Sequence, residues 1–409
     1  MVDLKDAIII TFITKDKPGL VHEITAMLSG SNINIIDIDQ TVVNQIFTII
    51  LICDLSTSHL HVKEAKKLIT TGLDKLLESA GGYFMMDEYK YPQPVVTSNK
   101  RAMKVTVIGK DAPGIVSGIT GILAGLSINI ESISMISRKE IFAMELLSSH
   151  DLPPSILKRV KKDLKRKTRE MDLSIIIQDK NVFSEEKKLV VFDMDSTLIQ
   201  QECINELGRA MSLESKSRIA AITEAAMKGE MDFRAALRER VQLLKGMKKS
   251  VLEDIANGLT LTPGANELIG ALKKMGYKVA LISSGFTFFT AIVKRKLGLD
   301  YAFGNELLVE DGELTGEFNQ NLVIDAKQKA KIQRWIAQIE KIPKENIISI
   351  GDGANDAIMV ENSGLGIGFR PKEIVRRVAD GVINEDNMIG ILFALGDLRR
   401  KKRRFIDFE

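Results

Sequence analysis

KKLVVFDMDSTLIQQECINE, residues 187–206, decides how the second half of the chain folds. Leu189 to Phe192 is a continuous apolar, β-prone run, the pattern of a strand buried on both faces of a parallel sheet. It ends abruptly at Asp193-Met194-Asp195-Ser196-Thr197, two acids and two hydroxyls. In open α/β sheets ligands bind beyond the carboxyl ends of the strands, so these side chains stand where chemistry is done. One such pair of acids would be weak evidence, because loops are rich in aspartate.

The same grammar recurs downstream. Ile347 to Ile350 runs straight into Gly351-Asp352-Gly353-Ala354-Asn355-Asp356. Lys278 to Ile282 runs into Ser283-Ser284-Gly285-Phe286, and a helical stretch carries Lys329, 22 residues before Gly351. Three strand ends thus offer carboxylates, hydroxyls and an ammonium. Hard carboxylate oxygens without a His or Cys cluster suit Mg²⁺. Mg²⁺ beside a lysine and backbone N–H groups suits a phosphoryl group. Gly364-Leu365-Gly366-Ile367-Gly368 lies too late in the sheet for a dinucleotide loop and reads as a tight turn.

The first half contains a repeat. Thr14-Lys15-Asp16-Lys17-Pro18-Gly19-Leu20-Val21 matches Gly109-Lys110-Asp111-Ala112-Pro113-Gly114-Ile115-Val116 at an offset of 95. That offset also carries Ile33-Asn34-Ile35 onto Ile128-Asn129-Ile130 without a gap. Each copy reads as strand, helix, two strands, helix, strand, the ferredoxin-like βαββαβ order. In the Lys-Asp-x-Pro-Gly turn, Asp is expected to cap the following helix and Pro to sit in its first turn.

Composition limits the function classes. Hydrophobic residues make up 45% and charged residues 27%, as in ordinary globular protein. No apolar run is long enough to span a membrane. The N-terminal MVDLKDAIII carries acids where an export signal needs bases, so a cytoplasmic protein without a membrane partner is expected. Lys158 to Arg169 holds eight basic residues and one acid, and residues 399–404 read RRKKRR, although the net charge is only +3. No nucleic-acid motif accompanies these clusters, and they read as a solvated helix face and a terminal tail.

The combination DxDST, Ser-Ser-Gly, Lys and GDGAND, in this order, resembles the haloacid dehalogenase superfamily. DMDSTLIQQECINE (193–206), MDFRAALRERV (231–241), LTPGANELI (261–269), SSGFTFF (283–289) and GDGANDAIM (351–359) place it nearest the branch acting on phosphoserine. The repeated modules resemble ACT domains, small-ligand sensors attached to amino-acid metabolic enzymes. The implied fold is a haloacid dehalogenase-like Rossmannoid parallel sheet with a helical cap, preceded by two ferredoxin-like βαββαβ modules. The expected boundaries are 1–92 and 100–180 for the modules and 185–398 for the phosphatase. Its cap would cover about 203–260, with a basic tail at 399–409.

The resemblance also implies roles. Asp193 would be the nucleophile and Asp195 the general acid and base. Mg²⁺ would be held by Asp193, the Asp195 carbonyl and Asp352, with Asp356 in support. Ser283, Ser284 and Lys329 would hold phosphate, although the family commonly has glycine at the position of Ser284. Glu202 would accept the substrate ammonium, Arg240 would clamp its carboxylate, Asn355 would add a contact and Phe233 would line the cap. The reaction so implied is Mg²⁺-dependent hydrolysis of O-phospho-L-serine through an aspartyl-phosphate, the last step of serine biosynthesis.

Two readings stand beside it: transfer of the phosphate to another alcohol, and an amino-acid sensor with an inactive phosphatase half. At the ACT-like modules serine is the expected effector, and a homodimer through their sheets is the expected assembly. The expected ligand positions are Asp16, Gly19 and Asn34 in the first copy and Asp111, Gly114 and Asn129 in the second. Helix N-termini there would receive a carboxylate, and the two asparagines serve either as ligand contacts or as turn residues.

Overall fold

The structure, a computed structural model, describes residues 6–89, 101–110, 112–138, 142–179, 188–227 and 230–395. Asp111 and the basic tail lie outside the described residues. The chain divides into two compact units, Met1–Ser98 and Asn99–Glu409. Among the described residues no helix is long and apolar enough to cross a membrane.

The first unit is one βαββαβ module. Its antiparallel sheet runs in the spatial order Asn34–Val43, Ile46–Asp54, Ala7–Lys15, Gly82–Glu88. Alternation turns Ile8, Ile10 and Phe12 inward, where they meet Leu20, Ile24 and Leu28 of the helix Leu20–Gly30 and Ile69 and Leu73 of Val62–Ala80. Strand and helix periods of 2 and 3.6 thus converge on one core. The turn before the first helix departs from expectation. Gly19 is the N-cap at φ 97°, with no side-chain cap, so Asp16 does not cap and Pro18 precedes the first turn. A left-handed residue turns the chain sharply into the helix, which glycine does without a Cβ clash. Gly114 repeats this at φ 93° before Ile115–Ala124.

The second unit holds the other module and the α/β half in one ten-stranded sheet. Six parallel strands come first, in the order Tyr301–Asn305, Lys278–Phe286, Leu189–Phe192, Ile347–Gly351, Leu365–Phe369, Gly381–Ile383. Four antiparallel strands continue it: Ser174–Gln178, Arg101–Gly109, Phe142–His150, Asn129–Arg138. The junction is the antiparallel pairing of Gly381 with Ile176 and Val382 with Ile175. The expected fold class is therefore present in both halves, and the two sheets are joined edge to edge. Gly366 and Gly368 lie in the buried strand Leu365–Phe369, not in a turn. A Cβ on Gly366 would meet the Val360 carbonyl at 2.5 Å, so the glycine admits a close backbone approach.

Side chains reinforce the junction. Ser174 Oγ donates to Glu385 Oε2 at 2.5 Å and accepts from the Asn384 N–H at 2.7 Å. Part of the basic helix Pro154–Glu170 turns toward the α/β half. Lys161 Nζ lies 3.0 Å from Asp179 and 3.3 Å from Asp380, Lys165 donates to the Ala379 carbonyl, and Arg169 lies 3.6 Å from Glu373. Those cations are thus more than a solvated face. Ile108, Ala143 and Ile176 share a core with Phe192, Ile367 and Ile391.

Above the parallel sheet stand the helices Cys203–Met211, Leu213–Met227, Phe233–Gln242 and Lys249–Asn257. The hairpin Leu307–Glu310 with Glu313–Phe318 braces them. Gly246 N–H donates to the Leu314 carbonyl at 2.8 Å, and Leu314 N–H to Met247 at 2.8 Å.

A Cβ on Gly381 would lie 2.7 Å from Ile176 Cα, so the strands cannot keep this register around a side chain. Gly381→Val is expected to destabilise the second unit by about 1–3 kcal/mol. Denaturant unfolding should show one shifted transition for residues 99–409. Two separate transitions, with only one displaced, would mean that the halves fold independently.

Candidate active site

The acidic loop begins where the strand Leu189–Phe192 ends. Asp193 N–H donates to the Ile350 carbonyl at 2.9 Å, tying this loop to the neighbouring strand that delivers Asp352 and Asp356. Asp193, Asp352 and Asp356 are all buried, and one carboxylate oxygen from each lies within 4.8 Å of the others. Lys329, fully buried on the helix Ala326–Glu340, sends its ammonium between two of them. Its Nζ is 2.6 Å from Asp193 Oδ1 and 2.7 Å from Asp356 Oδ1. Asp325 caps that helix by accepting from Gln328 N–H at 2.8 Å.

Asp356 is saturated. Its Oδ1 faces Lys329, and its Oδ2 accepts from the N–H groups of Asp352 and Gly353, each at 3.1 Å. Asp193 and Asp352 are the acids with oxygens left for a metal. Lys372 Nζ lies 3.7 Å from Asp352, and Lys372 N–H donates to the Asp352 carbonyl at 2.8 Å. Three carboxylates and one ammonium leave this buried cluster two negative charges in excess. A divalent, oxygen-seeking cation matches that charge and donor set.

The next residues make a helical turn, Met194–Leu198, broken at Asp195 (ψ 136°) and Ser196 (φ 56°). Three bonds hold Ser196 in this unfavourable region: its N–H to Gln201 at 3.3 Å, its Oγ to Glu202 Oε1 at 2.8 Å, and its carbonyl from Arg370 at 3.1 Å. The turn points Asp195 back at the helix Cys203–Met211, where Oδ1 accepts from Cys203 N–H at 3.0 Å. A Cβ on Gly285 would stand 3.0 Å from both Asp195 Oδ2 and Ser283 Oγ, so glycine there lets the loops converge.

Burial, then the neighbouring Glu202, pushes the Asp195 carboxyl up to about 7. Burial, then Asp356, pushes Asp352 up to about 6. Asp193 is raised by burial and then by Asp356, against the pull of Lys329. Burial opposes the charge on Lys329, yet Asp193 and Asp356 outweigh it and hold its pKa above the ordinary value.

Ser283 is buried, and its Oγ accepts from Gly285 N–H at 2.8 Å. Ser284 Oγ is buried without a hydrogen-bond partner among the described residues. Its carbonyl accepts from Asn305 Nδ2 at 2.8 Å. Asn355 Oδ1 lies over Gly353, where a Cβ would meet it at 2.7 Å. Arg240 is held by donating Nε to the Ala236 carbonyl at 3.1 Å and Nη1 to Thr223 Oγ1 at 3.3 Å. Burial lowers its pKa while the charge of Glu202 opposes that shift, so the two lie in one electrostatic neighbourhood. Phe233, half-buried, opens the helix that carries Arg240.

Asp193, Asp195, Asp352, Asp356 and Lys329 thus converge, with Glu202 and Ser283 beside them. Sequence reasoning missed Arg370, Lys372, Thr223 and Asn305, which brace these groups from outside the quoted motifs.

In the ACT-like modules, Asn34 N–H donates to Thr57 Oγ1 at 3.1 Å. Asn129 Nδ2 donates to Glu131 Oε1 at 2.8 Å, an engagement within its own strand. Asp16 N–H donates to the Gln45 carbonyl at 2.7 Å.

Comparison with known proteins gives the family of each half. Residues 190–361 match the haloacid dehalogenase-like hydrolase family, and residues 6–81 and 102–178 each match the ACT domain. The chain is 45% identical to a phosphoserine phosphatase of Archaeoglobus fulgidus over 298 residues, 73% of this chain and 85% of that protein. It is 31% identical to the phosphoserine phosphatase SerB2 of Mycobacterium tuberculosis over 401 residues, 97% of this chain and 94% of that protein. Among solved structures, a HAD family hydrolase from Salmonella enterica superposes with a TM-score of 0.62 at 29% identity. That match covers 72% of this chain and 99% of the other. A probable phosphoserine phosphatase from Vibrio cholerae gives 0.56 at 28% identity, covering 73% and 88%.

Without a cation, the raised pKa values make stability depend on pH with a definite sign. The folded chain keeps protons on Asp195 and Asp352 that the unfolded chain has released above about pH 4. Their contribution to stability therefore falls as pH rises from about 4 to about 7. A metal binds only the ionised acids. The rise in Tm produced by Mg²⁺ over chelator is expected to be small at pH 5 and several degrees at pH 7.5. Calorimetry showing an equal rise at both values would contradict the assignment.

Proposed function

We propose a reaction for this chain from one fixed premise: it belongs to the phosphoserine phosphatase family of haloacid dehalogenase-like hydrolases, with two ACT domains in its N-terminal half. On this reading it hydrolyses O-phospho-L-serine to L-serine and phosphate through a phosphorylated Asp193, as the last step of serine synthesis. The observation that carries the reading is the buried ammonium of Lys329 between Asp193 and Asp356, beside the Ser283 loop and the half-buried Asp195.

Asp193 attacks phosphorus with a carboxylate oxygen, and the seryl oxygen leaves. Covalent capture splits a hard hydrolysis into two easier steps. Lys329 favours the ionised form of that carboxylate against the effect of burial, and balances charge on the phosphoryl oxygens. Asp195, whose carboxyl is raised to about 7, gives its proton to the departing seryl oxygen and then takes one from the attacking water. The Cys203 N–H fixes it between the two steps. Ser283 and the backbone at Ser284 hold the phosphoryl oxygens. Mg²⁺, held by Asp193, Asp352 and the Asp195 carbonyl and supported by Asp356, would supply further charge neutralisation to the phosphoryl group.

Glu202 takes the substrate ammonium, Arg240 its carboxylate and Asn355 a further contact, while Phe233 covers the site. Both charged ends of the substrate need partners, because a buried unpaired charge costs several kcal/mol. Amino-acid control at the ACT domains belongs to the same reading, with serine as effector.

Phosphate release from a panel of phosphomonoesters tests the reaction. Preference for phosphoserine, abolished by Asp193→Asn and by chelator, is expected. Release from other esters alone would overturn the pocket. Arg240→Lys should raise KM about tenfold or more with little change in kcat, because a point charge replaces a bidentate clamp. If serine acts at an ACT domain, added L-serine lowers kcat. Purely competitive inhibition would place serine only in the active site.

A further inference from the structure

The strand Lys278–Phe286 keeps ladder register with Tyr301–Asn305 up to Ile282 opposite Phe303, then regains it at Phe286 opposite Asn305. Ser283, Ser284 and Gly285 therefore face the single residue Gly304, a bulge within the strand. Such a bulge re-aims side chains and backbone at a site, and it leaves local polar groups without ladder partners. Asn305 replaces one of the lost bonds. Its side chain is fully buried, and Nδ2 donates to the Ser284 carbonyl at 2.8 Å.

The other end of the same amide is also committed. Oδ1 accepts from Ile324 N–H at 2.8 Å, immediately before Asp325, the cap of the helix that carries Lys329. The chemistry of the two partners sets the orientation of the amide, since a carbonyl needs a donor and an N–H needs an acceptor. The backbones around it leave little room for drift. A Cβ on Gly304 would meet Phe286 C and Thr287 N, each at 2.8 Å.

We propose that Asn305 is a positioning residue for phosphoryl transfer, a buried amide that sets the Ser283–Gly285 loop and the start of the Lys329 helix at one fixed separation. The inference rests on the reading that this loop and Lys329 receive the phosphoryl group. It adds that their spacing is held by one side chain from a strand end that touches neither substrate nor metal. Misplacing a reacting or stabilising group by about 1 Å costs about 10²-fold in rate.

Asn305→Asp separates this role from plain packing. The carboxylate keeps the acceptor for Ile324 but loses the donor for Ser284. Burial raises a carboxyl pKa, so lowering the pH restores an O–H donor in nearly the same place. Asn305→Leu removes both bonds at similar volume and cannot be restored. The assays are kcat and KM for phosphoserine, inhibition by inorganic phosphate, and Tm, each taken as a ratio to the unmodified chain at pH 7.5 and pH 5.5.

The expected result is a loss in kcat/KM of about 10²-fold for Asn305→Leu at both pH values, carried mainly by kcat, with weaker inhibition by phosphate. Asn305→Asp should be less impaired than Asn305→Leu at pH 5.5, where its carboxyl is protonated and donates. Activity of Asn305→Leu within about threefold of the unmodified chain at both pH values would overturn the inference and leave the reaction intact. So would a deficit equal for both variants at both pH values and matched by loss of folded protein. If Asn305→Asp is not recovered folded, Asn305→Ala decides. A loss of kcat/KM per folded molecule with weakened phosphate inhibition supports the role, and unchanged kcat/KM overturns it. If the unmodified chain releases no phosphate from phosphoserine, the reaction and this inference fall together.

Discussion

The ammonium of Lys329, buried between Asp193 and Asp356, is the contact around which the catalytic half is arranged. Two carboxylates so close in a buried site would repel strongly, and a third, Asp352, adds to the repulsion. One lysine offsets part of this charge and so permits the acids to gather. It cannot offset all of it, and the remaining negative charge matches what a divalent cation would supply. Removing one partner from such a buried pair typically costs 3–5 kcal/mol, because the other charge is left uncompensated. The chemistry and the local fold therefore depend on the same three side chains.

That arrangement requires distant pieces of chain to end at one place, and the parallel sheet provides this. Asp193 follows one central strand, Asp352 and Asp356 its neighbour, and Ser283 lies near the end of the strand on the other side. Lys329 arrives on a helix whose start is tied to Asn305, the last residue of the next strand along. At the opposite end of the sheet, the strand Gly381–Ile383 would present an open edge. The second ACT domain covers it with Ser174–Gln178, so this module is part of the same sheet as the candidate active site. Arg370 stands between the two regions. Its backbone N–H bonds to Ile383 at the junction, and its guanidinium bonds to the Ser196 carbonyl in the catalytic turn.

Much of this was legible in the sequence, for identifiable reasons. Apolar runs ending in acidic loops mark parallel strands and their functional ends, so Asp193, Asp352 and their neighbours could be named from local pattern. The repeat was legible because the two copies share an ungapped register. The joining of the sheets was not, since Gly381–Ile383 is only three residues long and pairs with a segment some two hundred positions earlier. Gly366 and Gly368 looked like turn residues, because close backbone packing inside a strand selects glycine as a turn does. The Lys-Asp-x-Pro-Gly pattern points to Asp16 as a cap and Pro18 in the first helical turn, whereas the left-handed Gly19 performs the entry. Asn305, Arg370 and Thr223 act through hydrogen bonds to residues distant in sequence, which leave no periodic or local trace.

The most direct test of the account is to trap the covalent step. The Mg²⁺-loaded chain would be mixed with phosphoserine, quenched in acid within the first turnover and reduced with borohydride, and the peptide spanning residues 189–202 read by mass spectrometry. An acyl phosphate on aspartate is reduced to homoserine, so the account predicts homoserine in place of aspartate at position 193 alone. Conversion at Asp195, or phosphate retained on Ser196 with Asp193 unchanged, would contradict it.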